Sequence, residues 1–466
     1  MQVALAGGRV SEGGPAGRIA GLMPRARRDL AELVAFRSVA PPSGSEPEEC
    51  DRAAAWLLGA FAGVGLGDVA AHETADGSKA VFGHRPAPPG APTVLLYCHY
   101  DVVPPLAEND WETPPFELTE RSDGRWYGRG AADCKGNVVA HLTALRALGD
   151  ELPVGVKMIA EGSEEQGTGG LEALIGEDPA LLAADAMIVC DTGNFEPGLP
   201  TLTTTLRGAA NLIVGVRTLR GPLHSGVFGG AAPDALAALI QMLAGLRDAD
   251  GDTTIDGLPE SPRWEGIDYP PARFRQDAGL LDGVGITGTG TVAEMLWARP
   301  ALTVLGIDAP TVAGSTMSVP AEARARISLR LPPGIGGEEA IGALRAQLER
   351  AAPWGAEAGI EVEEWSDPFV GSTSGQSFEA LAAALEDAYG RAHVTQGQGG
   401  SIPLCNRLQE TYPEAAVMLI GVEEPGCLIH APNESVDPSE LERIALAEAL
   451  FLSRCGAFDQ ADFRSC

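Results

Sequence analysis

Lysine is nearly missing from this chain. Of 33 basic residues only three are lysines, Lys79, Lys135 and Lys157, and with 64 acids the formal net charge is −31. Binding to nucleic acid or to an anionic membrane needs positive surface, so the balance argues against both kinds of partner. Long apolar runs are missing too: none approaches the ~18 residues of a membrane span. The eight cysteines contain no C-x-x-C pair, which argues against a thiolate zinc site or a dithiol redox motif. Residues 1–17 lack the basic start and apolar stretch of a signal peptide and are expected to form a flexible, glycine-rich extension. Together these absences lead us to expect a soluble, cytoplasmic protein with reduced thiols.

What is present supports a folded chain. Its 466 residues suit two or three domains, and 45% of them are apolar, enough for a core. Ile19, Leu22, Met23, Ala26, Leu30, Leu33 and Val34 recur at helical spacing, predicting a helix over 18–36 that Pro41, Pro42 and Gly44 stop. A second helix is predicted over 47–62. Unbroken apolar runs at 93–98, 154–160 and 186–190 read as buried parallel strands, with helices over 137–148 and 170–175 between them. That alternation implies an α/β domain.

From about 203 to 368 the texture shifts. Segments 212–216 and 325–331 alternate like half-exposed antiparallel strands, and helices are expected over 233–246 and 338–350. The stretch 250–308 is expected to be loop-heavy. The order strand, helix, strand, helix, strand fits an inserted α+β domain. After Pro368 the α/β character returns with a strand over 416–421. The last helix is expected to open on Asp437 as N-cap, with Pro438 in the first turn and Glu440 completing a capping box.

Chemistry-bearing residues collect just past the apolar runs. His99 and Asp101 follow the first, Glu161, Glu164 and Glu165 the second, and Asp191 the third; a glycine-rich turn carries Asp133. Open α/β sheets bind ligands beyond the carboxyl ends of their strands. A histidine converging there with several carboxylates is a donor set for a divalent metal. Asp101, on the same face as His99, can accept its second ring N–H and fix the tautomer. Taken singly, His99 reads as well as a histidine beside a salt bridge, and Asp133 as a helix N-cap. Adjacent Glu164 and Glu165 are a sharper signal, because such carboxylates repel unless a cation compensates or one holds a proton. A solvated acidic loop is the plainer reading. Cys98 is expected to point into the core. Of seven histidines, His224 and His430 have supporting context; His72, His84, His141 and His393 have none.

Eight segments then resemble, in order, the motifs of one family. They are C-H-Y-D-V-V-P (98–104), G-R-G-A-A-D-C-K-G (128–136), E-G-S-E-E-Q-G (161–167), C-D-T-G-N (190–194), L-H-S-G-V-F-G-G (223–230), A-R-I-S-L-R-L-P-P (325–333), G-G-S-I-P (399–403) and H-A-P-N-E (430–434). The family is the co-catalytic two-zinc peptidases with a dimerisation lid. It includes cytosolic non-specific dipeptidases and carnosinases, glutamate carboxypeptidases, aminoacylase and succinyl-diaminopimelate desuccinylase.

The resemblance covers about 18–456. It implies an α/β catalytic domain over 18–202 and 369–466, with a mixed, largely parallel sheet flanked by helices. Between them it implies an inserted α+β, ferredoxin-like dimerisation lid over 203–368. Two divalent ions per subunit are implied, zinc first, with manganese and cobalt also suited. His99 and Asp191 would hold one ion, Glu165 and His430 the other, and Asp133 would bridge. Glu164 would be the general base on a water that both metals activate, and Asp101 the partner of His99.

His224, supplied by the other subunit of a homodimer, would stabilise the oxyanion. Arg330, which shares a strand face with Arg324, Arg326 and Ser328, would grip a substrate carboxylate with Gly400 and Ser401; the plainer reading of these arginines is a solvated sheet face. This chain departs from the commonest pattern at Cys98, usually glycine, and at Asp191, often glutamate but aspartate in the dipeptidase branch. The implied activity is metal-dependent hydrolysis of dipeptides or short peptides with a free C-terminal carboxylate. The alternatives are an N-acyl-amino-acid deacylase or succinyl-diaminopimelate desuccinylase and, in another class, an inactive binding protein on the same fold.

Overall fold

A computed structural model describes residues 14–41, 46–259 and 262–463. Of the expected extension, residues 1–13 lie outside these, as do Pro42 and Gly44, while Pro15 already opens the first helix. In chain order the principal strands are β1 (Gly67–Glu73), β2 (Lys79–Arg85), β3 (Thr93–His99), β4 (Gly155–Glu161), β5 (Ala186–Cys190), β6 (Thr201–Leu206), β7 (Gly208–Arg217), β8 (Ala301–Asp308), β9 (Glu322–Leu331), β10 (Glu357–Ser366) and β11 (Ala416–Ile420). The principal helices are α1 (Pro15–Ala35), α2 (Pro47–Gly63), α3 (Lys135–Leu148), α4 (Ala235–Ala244), α5 (Gly337–Ala351), α6 (Gly375–Tyr389) and α7 (Pro438–Cys455).

Two compact units form. One takes the described residues up to Thr204, Gly371–Gln396 and those from Arg407 onward; the other takes Thr205–Val370 and Gly397–Asn406. The segment 397–406, grouped by the sequence reading with the catalytic domain, therefore packs elsewhere. The contacts explain it: the Arg207 N–H donates to the Gln398 carbonyl (3.0 Å), and the Asn406 amide donates to the Asp367 carbonyl (2.8 Å).

In the first unit the sheet runs β1-β2-β4-β3-β5-β11-β6. The four central strands β4, β3, β5 and β11 are mutually parallel, and β1, β2 and β6 add antiparallel flanks. β5 and β11 are buried along their whole length and β3 and β4 almost so, which is why they read as unbroken apolar runs. Helices α1, α3, α6 and α7 pack on one another, and α2 packs on β1 and β2. All four parallel strands end at the same sheet edge.

The cap of α7 is half as expected. Asp437 accepts the Ser439 N–H (2.8 Å) and Pro438 opens the helix. Glu440 does not complete a capping box. Its buried carboxylate accepts instead from the Asn194 amide (2.6 Å), the Gly198 N–H (2.8 Å) and the Tyr389 hydroxyl (2.9 Å), tying a distant loop and α6 to α7.

The second unit is a four-stranded antiparallel sheet, β8-β9-β7-β10. With α4 and α5 its chain order is βαββαβ, the ferredoxin-like arrangement. Ala210, Leu212, Val214 and Val216 of β7 point inward and form a core with Leu239 and Met242 of α4 and Leu344 and Leu348 of α5. Strand β8 corrects the loop-heavy expectation for 250–308, as does a short helix over Pro271–Asp277. Beyond Leu302 this edge strand is exposed on both faces, so no alternation marks it. Among the described residues no helix is long and apolar enough to cross a membrane.

Candidate active site

The parallel strands deliver their polar residues to one place. β3 ends on His99, and Asp101 follows two residues later. The turn after β4 carries Glu164 and Glu165, Asp191 caps β5, and the segment after β11 carries Glu423 and His430. Asp133 arrives from the loop before α3. It sits between two imidazoles: Oδ1 lies 2.9 Å from His99 Nε2 and Oδ2 lies 3.0 Å from His430 Nε2. His99 Nε2 is also 3.1 Å from Asp191 Oδ1, and His430 Nε2 is 3.1 Å from Glu165 Oε2.

Asp101 performs two tasks. Its main-chain oxygen is 3.1 Å and its Oδ1 3.3 Å from His99 Nδ1. Its two carboxylate oxygens also accept the N–H groups of Glu164 and Glu165, each at 3.1 Å. One buried side chain therefore orients the histidine and fixes the loop that presents both glutamates.

The donor set fits divalent metal. A neutral His99 that donates from Nδ1 to Asp101 carries a lone pair at Nε2, and that lone pair faces two carboxylate oxygens. Lone pairs facing one another repel unless a cation or an extra proton lies between them. Glu165 Oε1 is buried without a hydrogen-bond partner. Nitrogen and oxygen donors of this kind suit zinc, manganese or cobalt. Cys134 is close to His99 and Asp191, but burial pushes its thiol up to about 12 and it donates to the Cys190 carbonyl (2.9 Å). It is thus a protonated neighbour. Cys98 faces the core, as expected.

Charge crowding shapes the carboxylates. Burial, then the charge of Asp133, pushes Glu165 up to about 7. Burial, then Asp191, carries Glu164 well above the usual range. Asp133 moves the other way: burial opposes, but hydrogen bonds from His430 and His99 hold it low.

Three contributors escaped the sequence reading. Glu423, with Asp133 and Asp191, completes a compact acid group, and its Oε1 accepts from the Asn137 amide (3.2 Å). Glu423-Glu424 follows a buried strand much as Glu164-Glu165 does, so the same signal was available. Glu434 threads the Asp133 loop. Its Oε1 accepts the Ala132 and Asp133 N–H groups (3.1 Å each), and its Oε2 accepts the Gly130 N–H (3.0 Å) and Arg129 Nη1 (2.7 Å). Asn433 beside it accepts from the Glu112 N–H (2.9 Å) and donates to the Asp110 carbonyl (3.0 Å), anchoring the segment that holds His430.

The third is Asp76, in the β1–β2 turn. It accepts from the Thr74 hydroxyl (2.5 Å), the Ser78 N–H (2.9 Å) and the hydroxyls of Ser163 (2.6 Å) and Thr168, bracing both ends of the Glu164–Glu165 loop. Partial burial opposes, but these donors hold its carboxyl well below the usual range. A depressed folded value means the brace stabilises above the unfolded pKa of about 3.9 and fades as pH falls through the folded one. Asp76→Asn should therefore lower the melting temperature at pH 7. Melts from pH 7 to 2 should show the gap to wild type closing below about pH 4; a gap that stays constant would contradict the brace.

The remaining expected residues lie in the second unit. His224 is exposed; its Nδ1 accepts the Gly226 N–H (3.1 Å), which leaves Nε2–H free to donate. Arg330, half-buried in β9, is registered with Ala209 of β7. Arg324 and Arg326 on its face pair with Glu361 (3.6 Å) and Glu363 (2.6 Å), so the solvated-face reading holds for those two. Gly400 and Ser401 lie in the loop before the helix Pro403–Thr411. His141, one of the histidines without sequence context, is buried between Glu448 (2.6 Å) and the Tyr97 carbonyl (3.1 Å).

Comparison with known proteins bears on this arrangement. Residues 95–454 match the family described as Peptidase family M20/M25/M40. The chain belongs to that family. A cysteinylglycine-S-conjugate dipeptidase from Corynebacterium striatum is 44% identical to this M20 chain over 438 residues, covering 92% of the chain and 95% of the relative. A solved structure of the dipeptidase Dug1p from Saccharomyces cerevisiae superposes with a TM-score of 0.79 at 22% identity, over 95% of this chain and 98% of the other. Human carnosine dipeptidase 1 superposes with a TM-score of 0.78 at 24% identity, over 95% and 98%. The α/β sheet with its inserted ferredoxin-like unit is therefore an M20 fold, and the chain is a peptide hydrolase.

Proposed function

We propose that this M20 chain is a metal-dependent dipeptidase for dipeptides with a free C-terminal carboxylate, S-substituted cysteinylglycines among them. The observation that carries the reading is Asp133 set between His99 and His430, each imidazole also facing a second carboxylate. His99, Asp191 and Asp133 would hold one divalent ion, and Glu165, His430 and Asp133 a second, zinc in the first instance. When bound, such ions acidify a water and polarise the scissile carbonyl.

Glu164 then takes the proton of the attacking water and returns it to the leaving amine. Among the described residues nothing donates a hydrogen bond to its side chain, so both oxygens are available for that exchange. His224 Nε2–H supplies a donor for the oxyanion. Arg330, with Gly400 and Ser401, takes the substrate carboxylate, for which a guanidinium fork is well shaped.

Two further elements belong to the proposal. The chain works as a homodimer through the second unit, with His224 serving the partner's site. Support comes from the edge strand β8, where Val304, Leu305 and Ile307 are exposed beside an unpaired strand edge. A cytoplasmic location is supported by the unpaired thiols, Cys98, Cys134 and Cys190 included.

The test is a panel of cysteinylglycine, S-benzyl-cysteinylglycine and β-alanyl-histidine against N-acetyl amino acids and succinyl-diaminopimelate. Chelation should abolish dipeptide hydrolysis, and zinc, manganese or cobalt should restore it. Faster turnover of the N-acyl compounds would overturn the dipeptidase reading in favour of a deacylase. Hydrolysis unaffected by chelation would overturn the metal role.

A further inference from the structure

In a chain with 64 acids and 33 bases, Arg207 and Arg330 of the second unit have no ion-pair partner among the described residues. Arg207 is only 8% exposed, and its Nε and Nη1 are buried with no hydrogen-bond partner. Arg330 is half-buried and, among the described residues, has no ion-pair partner, although Arg324 and Arg326 on the same strand face both do. The two are neighbours. Gly208 is registered with Leu331 and Ala209 with Arg330, and Arg207 stands one step beyond that end of the ladder. The charge of Arg330 reaches it: burial first, and then Arg330, lowers Arg207 to about 10.

The surroundings are built around the buried guanidinium. The Arg207 N–H holds the Gln398 carbonyl at 3.0 Å. A Cβ added to Gly399 would lie 2.8 Å from Arg207 Nη2, so the loop backbone passes close against the end of the side chain. Gln398 Oε1 and Thr205 Oγ1 are also buried without partners. Burying a polar group without a partner is costly, and more so when it is charged. Two like charges held side by side add to that cost. An anion would complement the guanidinium donors and the Thr205 hydroxyl, though not the Gln398 oxygen.

We infer that Arg207 and Arg330 together form a two-guanidinium seat for the substrate's C-terminal carboxylate, with Arg207 as a specificity-determining residue. The inference rests on the proposed carboxylate-bearing substrate and adds a second, buried cation to its recognition. A carboxylate offers about four lone-pair sites over two oxygens. Arg330 presents its fork to one side, and the guanidinium of Arg207 serves the other. Because Arg207 is already buried, little of its side-chain freedom is left to lose on binding. A neutral C-terminal amide leaves two buried charges unpaired and is rejected.

The experiment uses the metal-loaded full chain and two ligands, cysteinylglycine and its C-terminal amide. Arg207→Gln should lower kcat/KM at least 30-fold for the free acid, chiefly through KM, and less than 3-fold for the amide. Arg207→Lys keeps the charge without the fork and should recover part of the loss. Arg330→Ala should behave like Arg207→Gln, and the double variant should fall short of the product of the two. A purely structural Arg207 would lower the melting temperature and affect acid and amide equally, which overturns the inference. If wild type hydrolyses neither ligand, the proposed function fails on its own. Calorimetric titration of the uncleaved ligands then still reads the seat, and equal affinity for acid and amide overturns it.

Discussion

Glu164→Gln should lower kcat by about 10²–10⁴-fold while the metal content of the chain stays at the wild-type level. Glutamine keeps the shape and loses only the ability to take a proton. The Glu164 main chain is held independently of its side chain, through the N–H bond to Asp101 Oδ1 at 3.1 Å. Glu165 is held likewise through Asp101 Oδ2. The substitution therefore leaves the proposed ligands in place and isolates the proton transfer. Steady-state kinetics on cysteinylglycine, with elemental analysis of the same sample, decide the matter. Retained kcat would remove Glu164 from the base role, and lost metal would move it among the ligands.

The same variant reports on the subunits. His224→Ala should also be slow, with its fold intact. If His224 acts in the partner's site, a heterodimer of the two variants contains one site with both residues wild type. Random mixing of equal amounts should then restore about a quarter of wild-type activity, since half the dimers are mixed and each carries one good site in two. No recovery on mixing would mean that His224 acts within its own chain.

Removing Glu434 should have the largest effect on stability. Glu434→Ala strands three buried N–H groups, those of Gly130, Ala132 and Asp133, and leaves Arg129 as an uncompensated buried charge. Breaking a buried pair in this way costs about 3–5 kcal/mol. Glu434→Gln keeps one acceptor oxygen and should cost less. Because the stranded groups hold the loop of Asp133, metal affinity should fall alongside the denaturation midpoint. Calorimetric zinc titrations and urea melts of both variants separate the two effects. Unchanged zinc affinity in a destabilised variant would reduce Glu434 to a purely structural brace.

The limits of the sequence reading follow from the kinds of interaction involved. The strands of the parallel sheet were legible because burial on both faces leaves unbroken apolar runs, and His99, Glu164, Glu165 and Asp191 follow directly behind them. The two helices of the inserted unit were legible from their periodicity. Strand β8 was not, because an edge strand exposed on both faces has no pattern to detect. Glu434 stands within a motif, but its partners lie some 300 residues away, and no spacing reveals a carboxylate that threads a distant loop. Glu440 misled for a related reason: its position is that of a capping residue, while burial beside Asn194 and Tyr389 made a network more favourable than a local bond. Arg207 is an ordinary arginine in sequence; only a buried guanidinium whose Nε and Nη1 find no partner among the described residues sets it apart.

The place of β11 has a consequence for how the molecule is made. This strand, residues 416–420, lies between β5 and β6, both complete by residue 206. During synthesis β6 has no neighbour to pair with on that side until the last quarter of the chain has left the ribosome. The inserted unit, whose four strands and two helices are contiguous, can fold in the interval. Sheet closure then waits on a contact between segments more than 200 residues apart, the kind that slows folding. His430 arrives only ten residues after β11 ends, so the group of five proposed ligands closes at the same late moment as the sheet. A nascent chain stalled before residue 416 would hold His99, Asp133 and Asp191 without the means to complete the centre, and the ribosome would release a hydrolase that becomes competent only when it is whole.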